Sequence, residues 1–289
     1  MVFAIVVLYN PNLNLLYKQH NSLINQVDQI IYIENGRNDW INYEDILSDK
    51  DIIIKRNENN LGLGVAQNQG IKIAIENNAD FVFLLDQDSI LPDSLVDTLV
   101  ESHKSLESKG VKVAAVCPCV FSDFTKEISN VPISLGLKVK TIKPKSLIQV
   151  SYAISSGSLI SKDAIKAIGG IQEDFFIDSM DTEWCLRADA LGYKTFIEPK
   201  TTIIHQLGNG ENNKVLQHSS FREYYIIRNS IAMIKLSYVP IGFRIRRLVL
   251  SVSRVLYSLF HGYWGYFFCG VKGLFSGWFV NTKKYIYGS

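Results

Sequence analysis

Phe81-Val82-Phe83-Leu84-Leu85-Asp86-Gln87-Asp88-Ser89 is the stretch on which the reading of this chain turns. Five consecutive apolar residues bounded by polar ones suit a strand buried on both faces, the kind found in parallel sheets. The run stops at two carboxylates one residue apart. In an open α/β sheet, ligands collect at the carboxyl ends of the strands, where Asp86 and Asp88 fall. Two acids at that spacing can share a divalent cation. Taken alone, they also fit a polar turn closed by Ser89 and Pro92, because Asp and Ser are common turn residues.

The residues upstream repeat one pattern. Residues 2–8 form an apolar, β-rich run closed by the turn residues Tyr9-Asn10-Pro11, and residues 13–27 read as a helix. A second strand over 29–33 ends in Glu34-Asn35-Gly36. A third, over 51–55, leads into the Asn- and Gly-rich loop 57–64, and a helix follows over 65–77. Strands alternating with helices at this spacing predict βαβ units and a mainly parallel sheet flanked by helices. Tyr9, Glu34, Asn35 and Asp86 would then lie at one edge of it. Downstream, residues 113–116 read as another strand, and the polar, Lys-bearing segment up to 150 gives little periodic signal.

The 289 residues suffice for a large core and approach the length at which a single core divides. The formal charge of +2 conceals an asymmetry: of 30 Lys and Arg, nine follow Glu223 and no Asp or Glu does, leaving 21 to face 28 acids before that point. A catalytic domain over 1–235 is expected, with halves of about 1–120 and 121–235, followed by a basic region over 236–289. Cys117, Cys119, Cys185 and Cys269 form no C-x-x-C pair, as in thiols of a reducing compartment. Residues 2–8 have no basic segment before them and no small-residue cleavage site after them, so they read as a strand and a cytoplasmic location is expected.

A second acidic group lies between 153 and 205. Ser155-Ser156-Gly157-Ser158 is a small-residue turn that permits close approach to the backbone. After Gly169-Gly170 comes Phe175-Phe176-Ile177-Asp178-Ser179-Met180-Asp181-Thr182-Glu183-Trp184-Cys185-Leu186-Arg187. Asp181 stands at the start of a helix that Gly192 terminates. It is either a plain N-cap or, facing the mouth of the sheet, a carboxylate able to take a proton from a substrate hydroxyl. His205 ends the run 201–204, as a structural residue or as the nitrogen that completes an oxygen-rich metal site.

This order of motifs, with Asn60-Leu61-Gly62, Asn68, Gly70 and Tyr224-Tyr225-Ile226-Ile227-Arg228-Asn229 added, resembles the inverting GT-A glycosyltransferases of family 2 over roughly residues 2–230. The D-Q-D-S and D-T-E-W-C-L-R runs are most similar to bacterial rhamnosyltransferases that build cell-surface polysaccharide. The resemblance implies a GT-A, Rossmann-like fold. It also implies that Tyr9, Glu34, Asn35, Asn60, Asn68, Asp86 and Gln87 bind the nucleotide-sugar donor, with dTDP-L-rhamnose favoured over UDP-galactose or UDP-glucose. Asp88 and His205 would ligate Mn²⁺ or Mg²⁺, and Asp181 would be the general base. Relatives often have Glu-Asp where this chain has Met180-Asp181, which leaves Asp178 as the acid nearest to that role. Arg228 is either a helix-surface residue or a partner of the diphosphate. A non-catalytic, membrane-bound nucleotide-binding protein is the alternative from another class, and the joint presence of Asp86, Asp88, Asp181 and His205 argues against it.

The tail adds a location. Residues 243–263 place Ile245, Leu248, Val252, Val255, Leu256 and Leu259 on one helical face, with Arg244, Arg247, Ser251, Arg254 and Ser258 opposite. A helix packed on the catalytic domain is one reading. The absence of acids and the aromatic run after it favour a C-terminal amphipathic, membrane-associating region on an anionic surface. The longest uncharged stretch, 255–271, is too short to span a bilayer, so peripheral binding at the cytoplasmic face is expected, with a lipid-linked saccharide as acceptor. Nucleic acid is not expected, because the positive charge is interleaved with a continuous apolar face.

Overall fold

The computed structural model describes residues 1–36, 52–122, 126–205 and 218–282, except the side chains of Ser122 and His205. Asp51, the first residue of the expected third strand, and the His205 side chain thus lie outside the described residues.

The first half alternates as the sequence pattern requires. β1 (Val2–Leu8), α1 (Leu13–Leu23), β2 (Gln29–Asn35), β3 (Ile52–Asn57), α2 (Leu63–Glu76) and β4 (Phe81–Asp86) follow in order. Asn12 starts α1 by accepting the Leu15 amide on its side chain at 3.2 Å, the usual work of an N-cap. After β4 come the two-residue β5 (Ser89–Ile90), α3 (Leu95–Glu107) and the long β6 (Val113–Ser122). The segment with little periodicity holds β7 (Glu127–Ile128), β8 (Val131–Leu135), β9 (Val139–Ile142) and β10 (Ile148–Val150). β11 (Ser158–Ser161), α4 (Lys162–Ile168), α5 (Met180–Ala190), β12 (Lys194–His205) and α6 (Ser220–Ile234) complete the catalytic half. α7 (Ile241–Phe260) and α8 (Trp264–Ser276) close the described chain.

The main sheet runs β10-β12-β6-β11-β4-β1-β2-β3, and β8 pairs with β9 apart from it. β1, β2, β3 and β4 are mutually parallel, as are β6 and β12, while β11 enters antiparallel between β4 and β6. Side chains alternate across β1: Phe3 and Ile5 join a core with Ala66, Ile71 and Trp184, while Ala4, Val6 and Leu8 join another with Leu16, Leu95 and Leu99. From β1 the chain winds first toward β2 and β3, then returns to the other side as β4. The strand order therefore reverses between β1 and β4, the place where an open α/β sheet leaves a crevice. Tyr9 and Asp86-Gln87 stand at that opening.

The C-terminal helices pack on α6. A Cβ at Gly273 would lie 2.8 Å from the Tyr224 carbonyl oxygen, and one at Gly277 would lie 2.5 Å from that of Arg228, so α8 approaches α6 at backbone distance. Lys235 Nζ donates to the carbonyls of Trp278 and Val280 at 2.9 and 2.7 Å, which fastens the chain after α8 to the end of α6. α7 is turned opposite to an ordinary amphipathic helix. Arg254 points inward onto the buried Glu223, and the Arg247 guanidinium sits 4.9 Å over the Phe243 ring. Ile245, Val249, Leu256 and Phe260 face outward, continuous in kind with the exposed Trp264, Phe268 and Phe275 of α8. The uncharged stretch read across 255–271 is two helices, separated at His261-Gly262-Tyr263, and among the described residues no helix is long and apolar enough to cross a membrane.

Candidate active site

The acidic pair is positioned through its main chain. Asp86 lies opposite Val7 in the β1–β4 ladder. Its amide donates to Ser156 Oγ at 3.0 Å, and its carbonyl accepts from Gln19 Nε2 at 2.6 Å. Ser156 also exchanges a hydrogen bond with Ser89 Oγ at 3.0 Å. Gly157, at φ 85°, leaves room for the Pro118 ring, which a Cβ would meet at 2.8 Å. The small-residue turn 155–158 thus lets protein approach protein and fixes the direction in which Asp86 leaves the strand. Gln87 is bound as firmly: its Oε1 accepts the Tyr9 amide at 2.8 Å, and its Nε2 donates to the Tyr9 carbonyl at 3.1 Å. This residue closes the β1–β4 crevice at its floor.

β5 pairs antiparallel with β12, Ser89 opposite His205. The last residue of β12 therefore lies beside the residue that follows Asp88, which places position 205 next to the acidic turn. Among the described residues, no three His, Cys, Asp or Glu side chains form a metal-ligating group, and the His205 side chain is not among them. Two carboxylates with an imidazole position beside them suit a hard divalent cation such as Mg²⁺ or Mn²⁺.

The Asn-rich loop builds one wall. Asn35, buried, donates to Asn60 Oδ1 at 3.0 Å and to the Gly62 carbonyl at 3.2 Å, and accepts from the Leu61 amide at 3.0 Å. Asn60 in turn accepts the Gly62 amide at 2.9 Å. Glu34 is buried beside Arg56, 3.2 Å away. Asn68 donates to the Ile171 carbonyl and to Glu173, each at 2.8 Å, tying α2 to the second half of the chain. These polar side chains set the shape of the loop, and the half-exposed Tyr9 ring, lying over Gly36, is the open surface it presents.

Asp181 lies in the first turn of α5, after a turn of unusual backbone. Phe176, Asp178 and Ser179 all have φ between 62 and 66°, a region that costs a non-glycine residue free energy and persists only where the surroundings impose it. Here Asn229, fully buried on α6, imposes it. Its Nδ2 reaches the carbonyls of Phe175, Ile177 and Asp178 at 2.9, 2.7 and 2.9 Å. Phe176 stacks on Tyr225 with ring centres 4.9 Å apart and accepts the Leu63 amide at 2.6 Å, so the strained turn also meets the Asn-rich loop. The rest of the D-T-E-W-C-L-R run braces α5. Arg187 pairs with Glu183 and donates to the carbonyls of Ile168 and Gly170, and Trp184 Nε1 donates to that of Gly169.

Burial raises the Asp181 carboxyl above the ordinary range and Asp178 adds to the rise, while the Thr182 amide and the Arg247 charge oppose it. A carboxylate so raised holds a proton more readily, as a general base must. Arg222, in the first turn of α6, grips Asp178 with two bonds of 2.9 and 2.8 Å. That bond, with the fields of Asp86 and Asp181, raises the guanidinium above its usual range. Arg222 is thus bonded to Asp178 and carries its charge close enough to Asp86 and Asp181 for both to favour the charged guanidinium. Arg228 is engaged elsewhere, donating to the Asp174 carbonyl with its guanidinium over the rings of Tyr224 and Tyr225. Arg222 does not stand out in the sequence pattern, and Asn229 stands there only as the last residue of the Tyr224–Asn229 run, with no role attached to it. A cation in the first turn of a helix, where acids are preferred, is the signal that marks Arg222.

The dTDP-rhamnosyl transferase RfbF of Shigella flexneri is 30% identical over 279 residues, covering 90% of this chain and 86% of that one. The crystal structure of GalNAc-T7 with UDP, GalNAc and Mn²⁺ superposes over 90% of this chain with a TM-score of 0.59 at 14% identity, and that of S. aureus TarS over 88% with 0.54 at 14%. The chain spans 57% and 43% of those two proteins, so what they share with it is the GT-A-like fold. Residues 3–169, more than half of the chain, match the model of Glycosyl transferase family 2. Fold, carboxylate-lined crevice and family match converge: this chain is a glycosyltransferase and belongs to Glycosyl transferase family 2.

Proposed function

We propose that the chain is an inverting, metal-dependent rhamnosyltransferase that moves L-rhamnose from dTDP-L-rhamnose to a lipid-linked saccharide during cell-surface polysaccharide synthesis. The observation that carries this reading is the placement of Asp86 where the strand order reverses between β1 and β4, with Asp181 in the first turn of α5 behind a turn that is bonded to the Asn-rich loop through the Leu63 amide and the Phe176 carbonyl. The name of the Shigella relative, most of whose length the chain covers, supports the donor.

In the transfer, the acceptor hydroxyl attacks the anomeric carbon from the face opposite the leaving nucleoside diphosphate. Asp181 takes the hydroxyl proton as the new C–O bond forms and the bond to the diphosphate breaks, a contribution of about 10²–10⁴ in rate. Asp86 approaches the ribose, and the Tyr9 ring and the loop shaped by Asn35 and Asn60 receive the nucleoside. Asp88 and His205 would hold Mn²⁺ or Mg²⁺, and the ion would supply positive charge against the diphosphate. The GalNAc-T7 structure, solved with UDP and Mn²⁺, supports a divalent ion in this fold.

A peripheral position at the cytoplasmic face of the membrane belongs to this reading, and the exposed apolar side chains of α7 and α8, Phe and Trp among them, support membrane contact. Because Arg247 and Arg254 face inward, insertion of apolar side chains contributes more to this binding than attraction to anionic lipid. Replacing Phe260 and Phe268 by Gln should release the protein from liposomes without lowering its melting temperature. Retention on liposomes would mean the surface serves another purpose.

The deciding experiment compares dTDP-L-rhamnose, UDP-galactose and UDP-glucose for slow hydrolysis and transfer, with Mn²⁺ or Mg²⁺ and then with chelator. Turnover of dTDP-L-rhamnose that chelator abolishes is expected. Preference for a UDP-sugar would overturn the donor, and binding without turnover would favour a non-catalytic protein.

A further inference from the structure

Arg222 holds Asp178 through two hydrogen bonds in a site that must accept a diphosphate. Its side chain is 41% exposed and that of Asp178 is 17% exposed. The guanidinium is thus the open side of the pair, reachable by an incoming anion, while its carboxylate partner is mostly covered. Asp178 lies two residues after Phe176, whose carbonyl accepts the Leu63 amide at 2.6 Å, so the turn that Arg222 holds is joined to the Asn-rich loop beside the crevice. Arg222 rides on the first turn of a 15-residue helix, whose amino end favours an anion. That turn is fixed by Phe221 and Tyr225, packed edge-on and face-on against Phe176. The helix is thus rigidly placed while its arginine retains a long, mobile side chain.

Resting on the donor reading above, we propose that the Arg222–Asp178 pair is a latch worked by the donor: Arg222 leaves Asp178 and binds the diphosphate of the nucleotide sugar. A guanidinium matches two phosphate oxygens as well as it matches a carboxylate, and a diphosphate carries more charge than Asp178, so the exchange is favourable. His218 and Glu223 are the other titratable groups near this turn; Glu223 is held by Arg254 and stays out of the exchange.

The latch makes an unusual demand. If Asp178 competes with the donor for Arg222, removing its charge must tighten donor binding. Asp178→Asn is a fair test because Asn tolerates the positive φ at this position and the main-chain bond from Asn229 is untouched. Calorimetry with dTDP and dTMP, each with Mg²⁺, on the full chain reads the result. Asp178→Asn should bind dTDP about three-fold or more tighter. Arg222→Gln should bind it about ten-fold or more weaker, with dTMP affinity unchanged in both, and Arg222→Lys should fall between. Equal or weaker dTDP binding by Asp178→Asn, or equal losses for dTDP and dTMP in Arg222→Gln, would overturn the latch and leave the donor site standing. Failure of the unaltered chain to bind dTDP would overturn the donor assignment itself, and the latch with it.

Discussion

Gln87 and Tyr9 exchange two hydrogen bonds, side chain to main chain, across the point where the sheet reverses its winding. The middle residue of the acidic triplet therefore has a use of its own: it sets the separation of the β1 and β4 ends that flank the crevice. Gln87→Leu keeps the volume and removes both bonds. The variant should lose about three- to ten-fold in dTDP affinity, since each bond contributes about 0.5–1.5 kcal/mol net, while circular dichroism stays unchanged.

Asn229 should matter more. Its fully buried side chain is the donor to three carbonyls of the strained turn before Asp181. Asn229→Ala should destabilise the chain by about 2–4 kcal/mol and lower kcat more than it weakens dTDP binding, because the turn that aims Asp181 relaxes. Thermal melting and steady-state kinetics on one preparation separate the two effects.

The close contact of α8 with α6 gives a matched pair. A Cβ at Gly277, which caps α8, meets the Arg228 carbonyl and the Ile231 side chain, whereas at Gly265, near the start of that helix, nothing lies within 4 Å. Gly277→Ala should cost about 1–3 kcal/mol, read as a lower melting temperature. Gly265→Ala should be neutral or stabilising by up to about 1 kcal/mol.

Asp181 predicts a pH dependence of definite sign. Its carboxyl lies above 3.8 in the folded chain, chiefly through burial. Between 3.8 and the raised value the folded chain holds a proton that the unfolded chain has released, so stability falls as pH rises through that window and the cost persists above it. Asp181→Asn should therefore melt higher than the parent at neutral pH, with the difference closing below pH 3.8. Transfer by the parent should show an acid limb displaced upward from an ordinary carboxylate, set by Asp181 against Asp178, Arg222 and Arg247.

The sequence carried the sheet plainly, because buried parallel strands are continuous apolar runs and nothing else in the chain resembles them. Residues 2–8 and 81–85 are such runs, and the strands end within a residue of where the apolar character does. The segment 117–150 was illegible: β7 to β10 are strands of two to five residues, too short to show a period, and although β7 pairs with its neighbour β6 and β8 with β9, β10 is placed by β12, far along the chain. α7 shows another limit. Its periodicity marks two faces, but which one meets the protein depends on Glu223, a buried acid on another helix that draws Arg254 inward. Among the site residues, Asp86 and Asp181 could be found from local pattern. Arg222 and Asn229 act through bonds to residues about fifty positions away, which no spacing reveals.

Asp181→Asn, assayed for transfer and for dTDP binding on the same sample, bears most directly on the proposed chemistry. Transfer should fall at least about a hundred-fold with dTDP affinity unchanged, since Asn keeps the shape and loses the basic oxygen. Transfer retained within a few-fold, or dTDP binding lost together with it, would contradict the assignment of Asp181 as the base.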